Sequence, residues 1–215
     1  MILKPEVKAE IKRKSIHTLI TGTIAPLLIL GISNTLLSRV LGIILYSVFL
    51  SLFVLFEFSL RTDRNWNVPF ASKSFQIMAN DYELANKTML GGVFICLSGL
   101  ILVSFFELHL ALVGIMVLSY GDSAASIVGK AYPNHSISYN KVKHWEGTIA
   151  FLAVAFLVTA FSLAFKSIPL PKFFEISIIV AVITALMESL PIKYYYDNLT
   201  IPLCATLLAF LLMAI

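Results

Sequence analysis

Seven stretches of this chain, near 15–33, 36–60, 88–106, 109–128, 147–166, 172–190 and 198–215, are apolar over the length a helix needs to cross a bilayer. Backbone polar groups inside hydrocarbon must be satisfied within the segment itself, so runs of this length fold as helices. The expected fold is therefore all-α: a polytopic membrane helix bundle of about seven transmembrane helices. It is read as a single integral-membrane domain over 1–215. Composition agrees, because 59% of the 215 residues are hydrophobic and only 13% are charged, with a mean hydropathy of +0.90. The net charge of +4 does not point to nucleic acid, since the folds that read bases are soluble. Cys96 and Cys204 lie in separate apolar runs without Cys-x-x-Cys spacing and read as packing residues.

Orientation follows from Lys and Arg, which accumulate in cytoplasmic loops. With the N-terminus cytoplasmic, 13 basic residues fall inside and three (Arg39, Lys166 and Lys172) outside. The larger loops, 61–87 and 129–146, then face the cytoplasm, as does 191–198. The segment 21–34 shows no small-residue cleavage pattern, so the first run is expected to stay in the chain. Ahead of it, Leu3, Val7 and Ile11 recur every four residues beside Lys4, Lys8 and Lys12. Residues 1–14 thus read as an interfacial amphipathic helix, either a surface anchor or a direct contributor to substrate binding. Sequons at Asn86, Asn134 and Asn198 fall on the cytoplasmic side and are discounted as glycosylation sites.

Ionisable side chains within spans are costly and mark functional sites. Glu57, Asp122 and Glu188 each lie near the cytoplasmic end of an even-numbered helix. The odd-numbered helices start at the same level with Arg13, Lys14 and His17, with Gly91 and Gly92, with Lys143, Glu146 and Gly147, and with Asp197 and Asn198. Singly, such residues could be wetted helix ends. As a set they form one polar layer, where carboxylates could hold Mg²⁺ together with substrate phosphates and Lys and Arg could hold a polyphosphate. The outer acids Glu107 and Glu175 show no comparable neighbours.

Around Asp122, the small residues Gly121, Ser123, Ala124, Ala125, Ser126 and Gly129 leave the helix surface open to a ligand or to another backbone. They are equally compatible with internal packing and with a homodimer seam. There is no P-loop, because Gly129-Lys130 is followed by Ala131. The run from Lys141 to Thr148 opens the fifth helix, whose N-terminus favours phosphate; it also reads as a basic topology signal. Pro191 ends the sixth helix, and a tyrosine-rich turn delivers Asp197 and Asn198 to the seventh. His109 and His135 have no identifiable partner in the sequence.

These motifs, in this order, resemble the CTP-dependent lipid-alcohol kinase family of dolichol, phytol and diacylglycerol kinases, relatives of the CDP-diacylglycerol synthases. The likeness rests on Arg13-Lys14-x-x-His17, Glu57 with Arg61, Gly121-Asp122-x-x-Ala125-x-x-x-Gly129, Lys143-x-x-Glu146-Gly147-Thr148, and Glu188 with Asp197-Asn198-Leu199-Thr200-Ile201-Pro202. It covers most of the chain and departs from the family pattern at His144 and Pro133. The resemblance implies phosphorylation of a membrane lipid alcohol by CTP with Mg²⁺. It further implies an integral protein of a prokaryotic plasma membrane or a eukaryotic endoplasmic reticulum, with its site facing the cytoplasm. Catalytic roles then fall to Asp122, Glu188 and His17, with Asp122, Glu188 and Glu57 as metal ligands. Arg13, Lys14, Gly121, Gly129, Lys143, Glu146, Gly147, Asp197 and Asn198 would bind the nucleotide. A phosphatidate cytidylyltransferase is the alternative enzyme reading. A transporter fits less well, because charges near the midplane and broken helices in matched halves are not seen.

Overall fold

A computed structural model describes residues 4–24, 26, 35–64, 66–164, 166 and 168–214. Helix α1 (Pro5–His17) begins on a proline, whose missing N–H costs nothing in the first turn, and ends with Lys14 and His17 against the dipole. It runs on into a π-helical segment, Thr18–Ile24. Most of the remainder of the first expected span, and Leu3, lie outside the described residues. The expected helix over the N-terminal segment is present, but its inward face is not a lipid-facing apolar stripe. Val7, Glu10, Lys14 and His17 share one side and are buried, and the helix packs against α7 (Asp122–Ala131).

The long apolar helices follow: α2 (Thr35–Arg61), then α5 (Leu90–Phe105), α6 (Leu108–Met116) leading through π-helical Val117–Gly121 into α7, then α8 (Trp145–Leu163), α9 (Leu170–Ser189) and α10 (Tyr194–Ala214). Among the described residues, five helices are long and apolar enough to span a bilayer: Leu36–Arg61, Leu108–Ala131, Trp145–Leu163, Leu170–Ser189 and Tyr195–Ala214. Leu90–Phe105 is apolar but shorter. The protein is an all-α membrane bundle.

Both expected loops carry structure. Residues 61–87 contain α3 (Ala71–Met78) and α4 (Asp81–Ala85), the latter opened by a reciprocal cap between Asn80 and Glu83. Residues 129–146 contain an antiparallel hairpin, β1 (Ser136–Ile137) and β2 (Asn140–His144), so Lys141 and Lys143 sit on a strand and α8 starts only at Trp145. At the end of the bundle remote from the hairpin, Glu107 is ion-paired with Lys166, so this acid does have a partner.

Two seams of small residues bring the helices close. Val113, Val117, Phe151, Ala155, Val180, Ile201 and Ala205 build the main core among α6, α8, α9 and α10, and Gly114 abuts Pro202 and Thr206. Gly147 and Gly129 face each other where α7 crosses α8. A Cβ on Gly147 would lie 2.8 Å from the Ala125 carbonyl oxygen, whereas one on Gly129 would lie 3.6 Å from the nearest atom. Gly121 likewise faces the Phe151 ring, 3.0 Å from its would-be Cβ. The three glycines expected at the nucleotide thus lie at helix contacts. Gly147→Ala is expected to cost about 1–3 kcal/mol of stability through forced backbone separation. Gly129→Ala should change stability by no more than about 0.5 kcal/mol. Thermal unfolding in detergent measures both, and loss of activity without loss of stability in Gly129→Ala would return that glycine to the nucleotide.

Candidate active site

The polar residues of α1 and α7 form one group. Lys14 donates to the Asp122 carboxylate, with the lysine side chain only 8% exposed. Glu10 is buried between Arg13 at 2.6 Å and Lys130 at 2.9 Å, which ties α1 to the end of α7. Burial alone would push the Glu10 carboxyl up, but Arg13 and Lys130 together hold it below the usual carboxylate range. Arg13 also donates to the Met78 carbonyl at 3.3 Å, holding α3 over the group. Glu10 does not figure among the residues expected from sequence, although its i, i+3 spacing from Arg13 is a readable pairing signal.

The direction of Asp122 comes from the π-helical turn immediately before it. A π turn leaves the regular ladder, and side-chain hydroxyls occupy the Ser119 carbonyl, with Thr18 donating at 3.1 Å and Ser123 at 2.6 Å. Thr21 bonds the Ser119 hydroxyl at 2.8 Å, and Thr23 bonds the Tyr120 hydroxyl at 2.7 Å. The two π segments thus grip each other beside the aspartate, with Gly22 against the Tyr120 ring.

A second group forms where the hairpin meets α9 and α10. Asn140 donates to the Ser189 and Leu190 carbonyls, each at 3.0 Å, closing the end of α9 from outside. That docking carries Lys143 to Glu188 at 3.1 Å and Asp197 at 3.0 Å, and its ammonium also reaches the Glu188 carbonyl. Thr148 donates to the other Glu188 oxygen at 3.4 Å. Burial would lower the Lys143 ammonium, but Glu188 and Asp197 raise it above its ordinary value. The second Asp197 oxygen, Oδ1, is buried with no hydrogen-bond partner among the described residues.

The first group lines a cavity of about 230 Å³, whose polar end carries Arg13, Lys14, His17, Asp122, Ser126 and Asn198, the last of these next in the chain to Asp197 of the second group. Asn198 donates to the Gly91 carbonyl at 3.1 Å, joining α10 to the start of α5. Pro202, four residues on, has no N–H to offer the Asn198 carbonyl. Nδ1 of His17 is buried and has no hydrogen-bond partner among the described residues.

Two expected site residues lie elsewhere. Glu57, expected as a metal ligand, accepts from Arg61 at 2.7 Å, from Thr88 at 2.9 Å and from the Met89 amide at 2.5 Å, and it borders a separate cavity. Its oxygens are spent in fastening α2 to the start of α5. Glu146 pairs with His135 at 2.7 Å at the base of the hairpin, which supplies the partner that the sequence did not reveal for His135.

The chain is similar to a phytol kinase from Synechocystis, with 33% identity over 132 residues that cover 59% of this chain and 56% of that protein. It is similar to a chloroplastic phytol kinase from Arabidopsis thaliana, with 28% identity over 136 residues, 59% of this chain and 45% of the relative. A dolichol kinase from Schizosaccharomyces pombe is 37% identical over 92 residues, 43% of this chain and 18% of the relative. The chain thus matches about half or less of the length of these relatives. No family model and no solved structure matches it.

Proposed function

We propose, from the premise that this chain is a homologue of phytol and dolichol kinases, that it transfers the γ-phosphoryl group of CTP to the hydroxyl of a membrane-resident alcohol, releasing CDP at the cytoplasmic face. The observation that carries this reading is the Lys14–Asp122 pair in a cavity that also holds Arg13 and His17 and is lined elsewhere by apolar side chains, with a second pairing, Lys143 with Glu188 and Asp197, one residue from Asn198 on the wall of that cavity. Phosphoryl transfer requires mainly alignment and charge neutralisation, and this arrangement offers both.

The donor set suits Mg²⁺. Asp122 and Asp197 present hard carboxylate oxygens, and Asp197 Oδ1 is buried without a partner among the described residues. Among the described residues no group of three or more His, Cys, Asp or Glu is placed to hold a metal unaided. Mg²⁺ characteristically keeps several waters and takes other ligands from substrate phosphate. When bound there, Mg²⁺ would offset charge on the phosphates. Lys14, Lys143 and Arg13 neutralise the rest of the triphosphate. His17, lining the same cavity, holds the proton that the alcohol gives up, while Glu188 positions Lys143.

Labelled CTP supplied with a panel of alcohols to the detergent-purified protein tests the proposal. A phosphorylated alcohol and CDP in equal amounts are expected. Pyrophosphate release with phosphatidate as acceptor would replace the kinase reading by the cytidylyltransferase.

A further inference from the structure

Beyond Asp122 and Lys14 the same cavity continues between α2 and α5 as an apolar channel, lined by Leu45, Phe49, Phe53, Ile95 and Cys96. Its walls are shaped by two glycines on α5. Gly92 admits the Phe53 ring, 3.1 Å from a would-be Cβ, and Gly99 admits Tyr46, which is buried and closes the far end. The roof is Phe70, from the segment ahead of α3, whose ring lies 4.6 Å from Phe49 and 6.1 Å from Phe53.

Phe70 is held there at a cost. Its backbone is at φ 64° and ψ −51°, and the Ala71 amide bonds the Pro69 carbonyl at 2.7 Å, a γ-turn of the strained kind. A bulky residue at positive φ persists only where its surroundings over-determine it, and such strain gathers at ligand clamps. The ring is nonetheless 39% exposed, so burial alone does not account for the conformation. Arg13, at the polar end of the cavity, is bonded to Met78 at the end of α3, so the roof and the phosphate-binding end are mechanically joined.

We infer that this channel takes the hydrocarbon tail of the acceptor alcohol, with the hydroxyl at Asp122 and Lys14, Tyr46 as the floor and Phe70 as a clamp across the first part of the tail. This deepens the kinase reading and rests on it for the identity of the acceptor. Tail length is then read inside the protein, by the distance from Asp122 to Tyr46, rather than by the surrounding lipid.

Two measurements test it. A long-chain alcohol bearing a diazirine midway along its tail is photolysed with the full chain in detergent, and the adducts are mapped by mass spectrometry. Adducts on 45–53 of α2 and 92–99 of α5 at Phe49, Phe53, Ile95 and Cys96 are expected. Adducts confined to outward-facing Val48, Val54 and Leu55 would overturn the channel. Separately, Phe49→Trp should lower kcat/KM for long alcohols on the order of tenfold relative to short ones. Tyr46→Leu should shift the preference toward longer tails. An unchanged length preference in both variants, each folded by its thermal transition, also overturns it. Channel adducts without any phosphorylated product would leave the tail site standing and end the kinase reading, so the two failures are distinguishable.

Discussion

Asp122→Asn is expected to yield a folded protein whose turnover falls by about a thousandfold. Asparagine preserves the side-chain volume and one oxygen able to accept from Lys14, so the Lys14 contact and the hydroxyl network around Ser119 can survive the change. What is lost is the negative charge that a divalent cation or the Lys14 ammonium needs at this position. The loss should appear in kcat and kcat/KM alike, because the charge matters most where phosphoryl charge develops. Turnover within a few-fold of the parent, in a protein of unchanged Tm, would remove Asp122 from the reacting centre.

Lys143→Ala should damage both stability and activity. It leaves Glu188 and Asp197, 7% exposed each, facing one another without their shared cation. Breaking one partner of a buried ion pair costs about 3–5 kcal/mol, and the hairpin loses one of its ties to α9. Activity should fall with it, and Lys143→Arg should restore stability more fully than rate, because the guanidinium cannot reproduce the ammonium's simultaneous reach to two carboxylates and a carbonyl. The pH dependence has a definite sign. Because the folded-state value is raised above 10.5, the contribution of Lys143 to stability is fully present below that value and fades as pH climbs past it. Denaturation midpoints of parent and variant across alkaline pH measure this. A parent-to-variant stability gap that stayed constant through that range would contradict the pairing.

The helical membrane bundle was legible because hydrocarbon thickness imposes a length on apolar runs; of the seven runs, five are span-length helices among the described residues. The charge asymmetry of Lys and Arg pointed to one rim rich in acids and bases, and the structure pairs Lys14 with Asp122 and, separately, Lys143 with Glu188 and Asp197. Glu57 was ambiguous in the sequence, since its place near a helix end is the same whether it meets a cation or, as in this structure, the amide of Met89. The hairpin was hidden because two short strands leave too few residues for an alternation to register, although Lys141-Val142-Lys143 carries the period of two. The small residues around Asp122 were consistent with both ligand approach and packing, and the backbone distances show the tight crossing at Gly147 that the sequence could not. Phe70 gave no signal at all, because a strained turn centred on a phenylalanine runs against every local preference.

The π-helical turn at Val117–Gly121 works as a phase shifter in the apolar helix Leu108–Ala131. Each residue advances an α-helix by about 100°, so the surplus carried by a π turn rotates everything C-terminal to it by a comparable angle relative to an unbroken helix. The first half of the span packs its Gly114 face against Pro202, and the second half, rotated by the π turn, carries Asp122 to Lys14. Membrane anchorage and reactive geometry are in this way set independently along one continuous rod.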